Sequence, residues 1–165
     1  MNRYLSRLAI VFAALSTIGC SSSEDPVVLP DPAQVEGWFE GRAQISVEDR
    51  RLRIDAVMDP EHLARGGRLW QRATPYFYLF NTHVRQVLLD FPSLEGVDVV
   101  VRAEGGETLA TVTLHRETLS VYEWNRAVAY TSRAQREGTD NPGFVVDLLE
   151  WAEDRVEHSY TRRDR

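Results

Sequence analysis

The sequence predicts an α+β fold in which two β-hairpins form a four-stranded antiparallel sheet with helices on one face, in the order ββα-ββαα. Residues 43–56 and 97–114 each alternate apolar and polar side chains around a central turn, the period of strands with one buried face. After each alternating stretch, apolar residues recur at three- and four-residue steps, the spacing of a helix that buries one stripe. Such helices and such a sheet bury their apolar faces against each other as two layers, here a single domain over residues 36–165.

In the first hairpin, a two-residue tip at Asp49-Arg50 sets Val47 opposite Leu52, Ile45 opposite Ile54 and Ala43 opposite Ala56. The other face then pairs Glu48 with Arg51, Ser46 with Arg53 and Gln44 with Asp55. A slip of one residue would move every apolar side chain to the polar side, so the pattern fixes the register. Asp-Arg is a poor sequence for a tight type I′ turn, and a longer loop competes with it. The second hairpin turns at Gly105-Gly106, which tolerate positive φ. Its apolar face pairs Val97 with Leu114, Val99 with Val112 and Val101 with Ala110. Its other face is mixed, with Asp98 opposite Thr113, Val100 opposite Thr111 and Arg102 opposite Leu109.

Between the hairpins, Asp59 caps a short helical turn from Pro60 to Arg65 that Gly66-Gly67 ends. A helix then starts with Thr74 as cap and Pro75 in its first turn, carries Phe77, Phe80, Val84, Val87, Leu88 and Phe91 as a stripe, and stops at Pro92. After the second hairpin, Ser120 and Glu123 have the spacing of a capping box, ahead of a stripe of Val121, Trp124, Val128 and Thr131. Residues 119–122 are also β-branched and aromatic enough to prolong the strand. A last helix opens at Asn141-Pro142 and lines up Val145, Leu148, Leu149, Ala152 and Val156.

The first 20 residues carry a different signal. Arg3 and Arg7 precede an uncharged stretch, Leu8 to Ile18, whose helical length of about 16 Å is well short of the roughly 30 Å needed to span a bilayer. This is the build of a secretory leader. The run Ser16-Thr17-Ile18-Gly19-Cys20 resembles the lipobox of bacterial lipoproteins, and Cys20 is the only cysteine of the chain. The resemblance implies a signal peptide over residues 1–19, acyl chains (diacylglycerol and an N-acyl chain such as palmitate) on Cys20, and residence in the cell envelope. Ser21, where Asp would retain such a protein in the inner membrane, points to the outer membrane facing the periplasm. An ordinary cleaved leader and a retained anchor are the competing readings. From residue 20 to 35, Pro26, Pro30 and Pro32 among serines and acids read as an extended spacer.

From Cys20 onward, 17 arginines face 25 acidic residues, a formal charge of −8. Phosphate and anionic headgroups repel such a body, which argues against nucleic acid as a partner and against surface charge as the source of membrane affinity. The absence of lysine removes Schiff-base chemistry and the phosphate-loop lysine. No nucleophile elbow, zinc-protease helix or dinucleotide loop is present, no cofactor or metal is expected, and His62, His83, His115 and His158 fall in separate elements. The one candidate catalytic cluster is His115 and Glu117 at the exit of the fourth strand, with Asp98 on its neighbour, where an imidazole beside a carboxylate does general acid-base work. Five consecutive bulky residues, Tyr76 to Phe80, encircle a helix and cannot all face one sheet. Tyr76 and Tyr78, with Trp38 at the end of the spacer, are therefore candidate binding residues, against the alternative that the C-terminal helix covers them. The expectation is a non-enzymatic binding or assembly module of the envelope, held to the lipid bilayer through Cys20 and meeting an envelope protein partner. The alternative is a small envelope hydrolase centred on His115.

Overall fold

The computed structural model describes residues 27–161, apart from the side chains of residues 62, 63, 65 and 66. The fold is α+β, built as helix α1 (Pro32–Glu36), strands β1 (Ala43–Glu48) and β2 (Arg51–Val57), helices α2 (Pro60–Leu79) and α3 (Thr82–Asp90), strands β3 (Gly96–Arg102) and β4 (Thr108–His115), helices α4 (Val121–Glu137) and α5 (Gly143–Glu153), and strand β5 (Glu157–Tyr160). The stretch expected to be spacer up to residue 35 therefore ends inside the body. Pro32 takes the first turn of α1, the Asp31 carboxylate accepts from the Ala33 amide at 3.0 Å, and Val35 is buried beside β1.

The first hairpin has the register its alternation dictates, from Ala43 opposite Ala56 to Glu48 opposite Arg51. Its tip is two residues long, with φ of 47° at Asp49 and 60° at Arg50. Contacts from the loop before β3 hold this left-handed pair. The Glu95 amide donates to the Arg50 carbonyl at 2.7 Å, and Arg50 Nε donates to the Ser93 carbonyl at 2.9 Å. The second hairpin keeps the three apolar pairs but not the expected tip. Gly106 alone is left-handed, at φ 84°, and Ala103 bonds across to Glu107, so the loop is longer by one residue and shifts Arg102 opposite Thr108 rather than Leu109.

The sheet has five strands in the order β1-β2-β3-β4-β5, and β2 and β3 run parallel, so the expected four-stranded antiparallel sheet is corrected. The reason lies in the connection. Helices α2 and α3 cross the apolar face and return the chain to the end of the sheet from which β2 set out, which makes β3 parallel to it. Leu52, Ile54 and Ala56 then sit beside Val97, Val99 and Val101, so both hairpins present one continuous apolar face. Strand β5 adds to β4 antiparallel, with Tyr160 opposite Ala110 and Glu157 opposite Thr113. It was hidden because its sequence, Glu-His-Ser-Tyr, has no apolar alternation. Val156, read as part of the last helix, lies in the turn between α5 and β5 and is buried there.

Asp59 caps the turns that Pro60 opens, as expected, by accepting from the Glu61 amide at 2.8 Å, and the helix expected to begin at Thr74 is already under way before that residue. The break foreseen at Gly66-Gly67 is present: Gly67 adopts φ 50° and ψ −127°, far from helical values, and separates the turns that Pro60 opens from the helix that runs on to Leu79. Pro75 lies inside α2, and the Thr74 hydroxyl donates back to the Trp70 carbonyl at 2.7 Å instead of capping. A second break, not foreseen, comes at Phe80, after which Asn81 caps α3 by accepting from the Val84 amide at 2.9 Å. Ser120 and Glu123 form the expected capping box, which settles the start of α4 in favour of the helix. The buried stripe of α4 runs through Trp124, Ala127, Thr131 and Ala134, while Val121 is exposed.

All four long helices cover the apolar face of the sheet. Phe80, 1% exposed, is the hub of the helical layer: it stacks on Tyr76 with centroids 5.7 Å apart and meets the edges of Trp124 at 6.1 Å and Trp151 at 5.7 Å. Arg116, just after β4, ties the layers together. Its guanidinium donates to the carbonyls of Leu88 and Phe91, each at 2.5 Å, and of Leu94 at 2.7 Å, satisfying the C-terminal end of α3 and the loop that follows. Arg116→Ala is expected to destabilise the fold by about 2 kcal/mol, measured by urea unfolding, with Arg116→Lys restoring less than half because an ammonium cannot fork to three carbonyls.

Candidate functional site

The face of the sheet that no helix covers is a lattice of charges. Alternation sends Arg51, Arg53 and Asp55 of β2 outward, and the parallel seam sets Asp98 and Arg102 of β3 beside them. Arg51 donates to Asp98 through Nε at 2.7 Å and Nη2 at 3.0 Å, and the Thr113 hydroxyl donates to the same carboxylate at 2.7 Å. Arg53 donates to Asp55 at 2.6 Å, and Arg102 reaches Asp55 at 3.2 Å. Val100, 7% exposed, is roofed over by these long side chains. Burial pushes the Asp98 carboxyl up, but hydrogen bonds from Arg51 and Thr113 outweigh it and hold the group below its ordinary value. Asp55 is held down in the same way by Arg53 and Arg102 against its burial.

His115 is bonded to neither Asp98 nor Glu117. Its Nε2 faces Glu157 at 3.3 Å, its Nδ1 lies 3.5 Å from Arg51 Nη1, and its side chain is 58% exposed. Asp98 is engaged by Arg51 and Thr113. Glu117 stands exposed on the rim of a shallow depression with Arg50, Glu95 and His115, and bonds to none of them. Among the described residues, the imidazole is bonded to a solvent-exposed carboxylate on one side and a guanidinium on the other, and to no hydroxyl. Both actual neighbours of His115 come from pairings that local alternation cannot show, the parallel seam for Arg51 and strand β5 for Glu157.

Tyr76 is fully buried and offers no surface to a partner; its ring stacks on Phe80 and its hydroxyl meets that of Tyr160. Tyr78 is half-buried against Phe39, 6.0 Å between ring centroids, and donates weakly to the Arg42 carbonyl at 3.4 Å. Trp38 stacks on His83 at 5.4 Å, which places it against α3. Of the three aromatic candidates, only Tyr78 and Trp38 keep a solvent-facing edge. Cys20 lies outside the described residues, as does the side chain of His62. Among the described residues no group of three His, Cys, Asp or Glu side chains is placed to hold a metal ion, and no helix is long and apolar enough to cross a membrane.

The deeper recess, about 270 Å³, lies where α2 and α5 meet β5. A partly buried hydrogen-bond chain forms its floor. The Tyr160 hydroxyl donates to Glu153 at 2.8 Å, and Arg72 grips the same carboxylate through Nε at 3.0 Å and Nη2 at 2.6–2.7 Å. Because an ionised Glu153 only accepts, the Tyr160 proton points toward it, and Tyr76 must donate to Tyr160, 2.9 Å away. Burial pushes Tyr76 and Tyr160 well above the usual phenol range. It also pushes Glu153 up, but Arg72 and Tyr160 outweigh it and keep the carboxylate low. Gln71, 3% exposed, donates from its one amide nitrogen to the Leu109 and Thr161 carbonyls at 2.8 and 2.9 Å, pinning β5 to β4. Of these residues only Tyr76 stood out in the sequence. For the rest, the sole local signal was the pair Arg68 and Arg72, one turn apart on α2.

Tyr160→Phe is expected to cost about 1–3 kcal/mol, because it leaves the buried Tyr76 hydroxyl without a partner; adding Tyr76→Phe is expected to recover part of that loss in a double-mutant cycle read by urea unfolding. Asp55, Asp98 and Glu153 have folded values below their unfolded ones, so their stabilisation is complete above the ordinary carboxylate range of about 4 and is lost as pH falls through the folded values. Unfolding free energy followed from about pH 7 to about pH 3 is expected to decline, and Asp98→Asn to flatten that decline. Comparison with protein-family models, with curated proteins and with solved structures finds no match for this chain.

Proposed function

We propose that the chain is an envelope lipoprotein whose α+β body works as a non-enzymatic binding or assembly module. Acyl chains on Cys20 tether it to the bilayer, at the outer membrane on the periplasmic side. The observation that carries the reading is the lone cysteine placed directly after a charged, then apolar, then small-residue run. Burial of each acyl CH₂ contributes roughly 0.8 kcal/mol, and a second chain turns marginal, reversible attachment into stable anchoring. The acidic body adds no attraction to headgroups, so the tether supplies the membrane affinity and raises the local concentration of the body beside a membrane-bound protein partner.

Binding is favoured over hydrolysis by the separation of the candidate catalytic groups. His115 meets Arg51 and Glu157, Asp98 is locked in the sheet lattice, and Glu117 bonds to neither. Detergent-phase partitioning tests the anchor: wild-type protein is expected in the detergent phase and Cys20→Ala in the aqueous phase. An unmodified thiol at position 20 by mass spectrometry would overturn it. Crosslinked membrane pull-downs are expected to recover a partner with the wild type and to lose it with Cys20→Ala.

A further inference from the structure

The wall of the recess between α2, α5 and β5 carries positive charge that no described residue neutralises. Arg68 lies one helical turn before Arg72 on α2, so the two guanidinium groups rise on the same side of the helix. Arg72 spends Nε and Nη2 on Glu153, which leaves Nη1 free of any described partner. Arg68 is exposed and makes no hydrogen bond or ion pair with a described residue. Glu153, the acid of the recess, is saturated: Oε1 accepts from Arg72 and Tyr160, and Oε2 accepts from Arg72. Two arginines against one satisfied carboxylate leave a local excess of one positive charge, in a chain whose formal charge is −6.

The recess is also built to stay open. Arg72 lies over the Tyr160 ring, 5.5 Å from its centroid, and the His158 ring packs against the other part of β5 at 5.0 Å from Tyr160. The phenol of Tyr160 is fixed by Tyr76 below and Glu153 beside it. The free donors of Arg68 and Arg72 therefore stand over a rigid, fully hydrogen-bonded floor, and a ligand need not order that floor on binding. A volume of about 270 Å³ admits a group of a few heavy atoms and no folded partner.

We propose that this recess is a binding subsite for a small oxyanion, the carboxylate or phosphate group of the ligand that the module recognises, held by Arg68 and the free Nη1 of Arg72. Planar guanidinium forks match both kinds of oxyanion. The inference rests on reading the body as a binding module, and it names the chemistry that the module takes.

Full-length protein in non-ionic detergent micelles, titrated with sodium phosphate and separately with sodium acetate, tests it by two-dimensional amide NMR, with sodium chloride at matched ionic strength as reference. Saturable shifts at Gln71, Arg72 and residues 158–161 are expected with at least one of the two anions. Tighter binding of phosphate assigns the group as a phosphate, and tighter binding of acetate as a carboxylate. Arg68→Gln is expected to weaken binding by about tenfold, while Arg133→Gln, whose guanidinium covers Phe144 elsewhere, leaves it unchanged. Shifts that do not saturate, that chloride reproduces, or that Arg68→Gln leaves intact would overturn the subsite. Cys20→Ala is titrated in parallel. Saturation there, whatever its partitioning, keeps the subsite standing if the anchor fails, and an anchored protein that never saturates removes the subsite alone.

Discussion

One constraint organises the body: the pairs that β1 to β4 form between two apolar side chains all lie on the same side of the sheet. Leu52, Ile54, Val97, Val99, Val112 and Leu114 are all essentially closed to solvent, and the residues between them are Arg, Asp and Thr. A sheet so divided must take its helices on one side and leave the other to water. The crossover through α2 and α3, the parallel seam and the placement of both recesses follow from that division. The helical layer answers with an aromatic hub at Phe80, and Arg116 closes the join between layers from the strand side.

Two polar systems result, and they differ in kind. The lattice on the open face is shallow and wet, and its arginines shield Val100 as much as they pair with acids. The chain from Tyr76 through Tyr160 to Glu153 and Arg72 runs from the interior to the surface and is directional, with each of its oxygens bonded and one Arg72 nitrogen left over. A partly buried network of this sort fixes geometry rather than adding much stability, because each member forfeits hydration to join. Its rigidity is what makes the adjoining recess a credible place for a ligand, whereas the exposed His115 has no comparable support.

Local pattern made much of the body legible. Val47 against Leu52 and Val99 against Val112 follow from alternation and a nearby turn, and the Ser120–Glu123 box marks the start of α4 within four residues. What depended on distant segments was not legible. Nothing in residues 51–57 states that their neighbour will be residues 96–102, or in which direction, since the crossover decides both. Pro75 looked like a helix start because proline is common there, yet α2 tolerates it mid-helix, with Thr74 bonded back to Trp70. The aromatic run did signal that a second layer must cover Tyr76. The partners of Tyr76, Tyr160 and Glu153, lie on elements that meet only in space. The same holds for His115, whose expected carboxylates were near in sequence register and whose actual one lies on β5.

Strand β5 has a consequence for the life of the chain in a crowded compartment. Residues 108–114 of β4 form an uncharged run, Thr-Leu-Ala-Thr-Val-Thr-Leu, the sort of strand that recruits a copy of itself when left at a sheet margin. Four residues rich in polar groups, with Glu157 and His158 among them, occupy that margin and are too short and too charged to extend the sheet further. Protection against edge-to-edge aggregation thus rests on the element that buries least, and Gln71, clamping it from within the helical layer, acts as its latch.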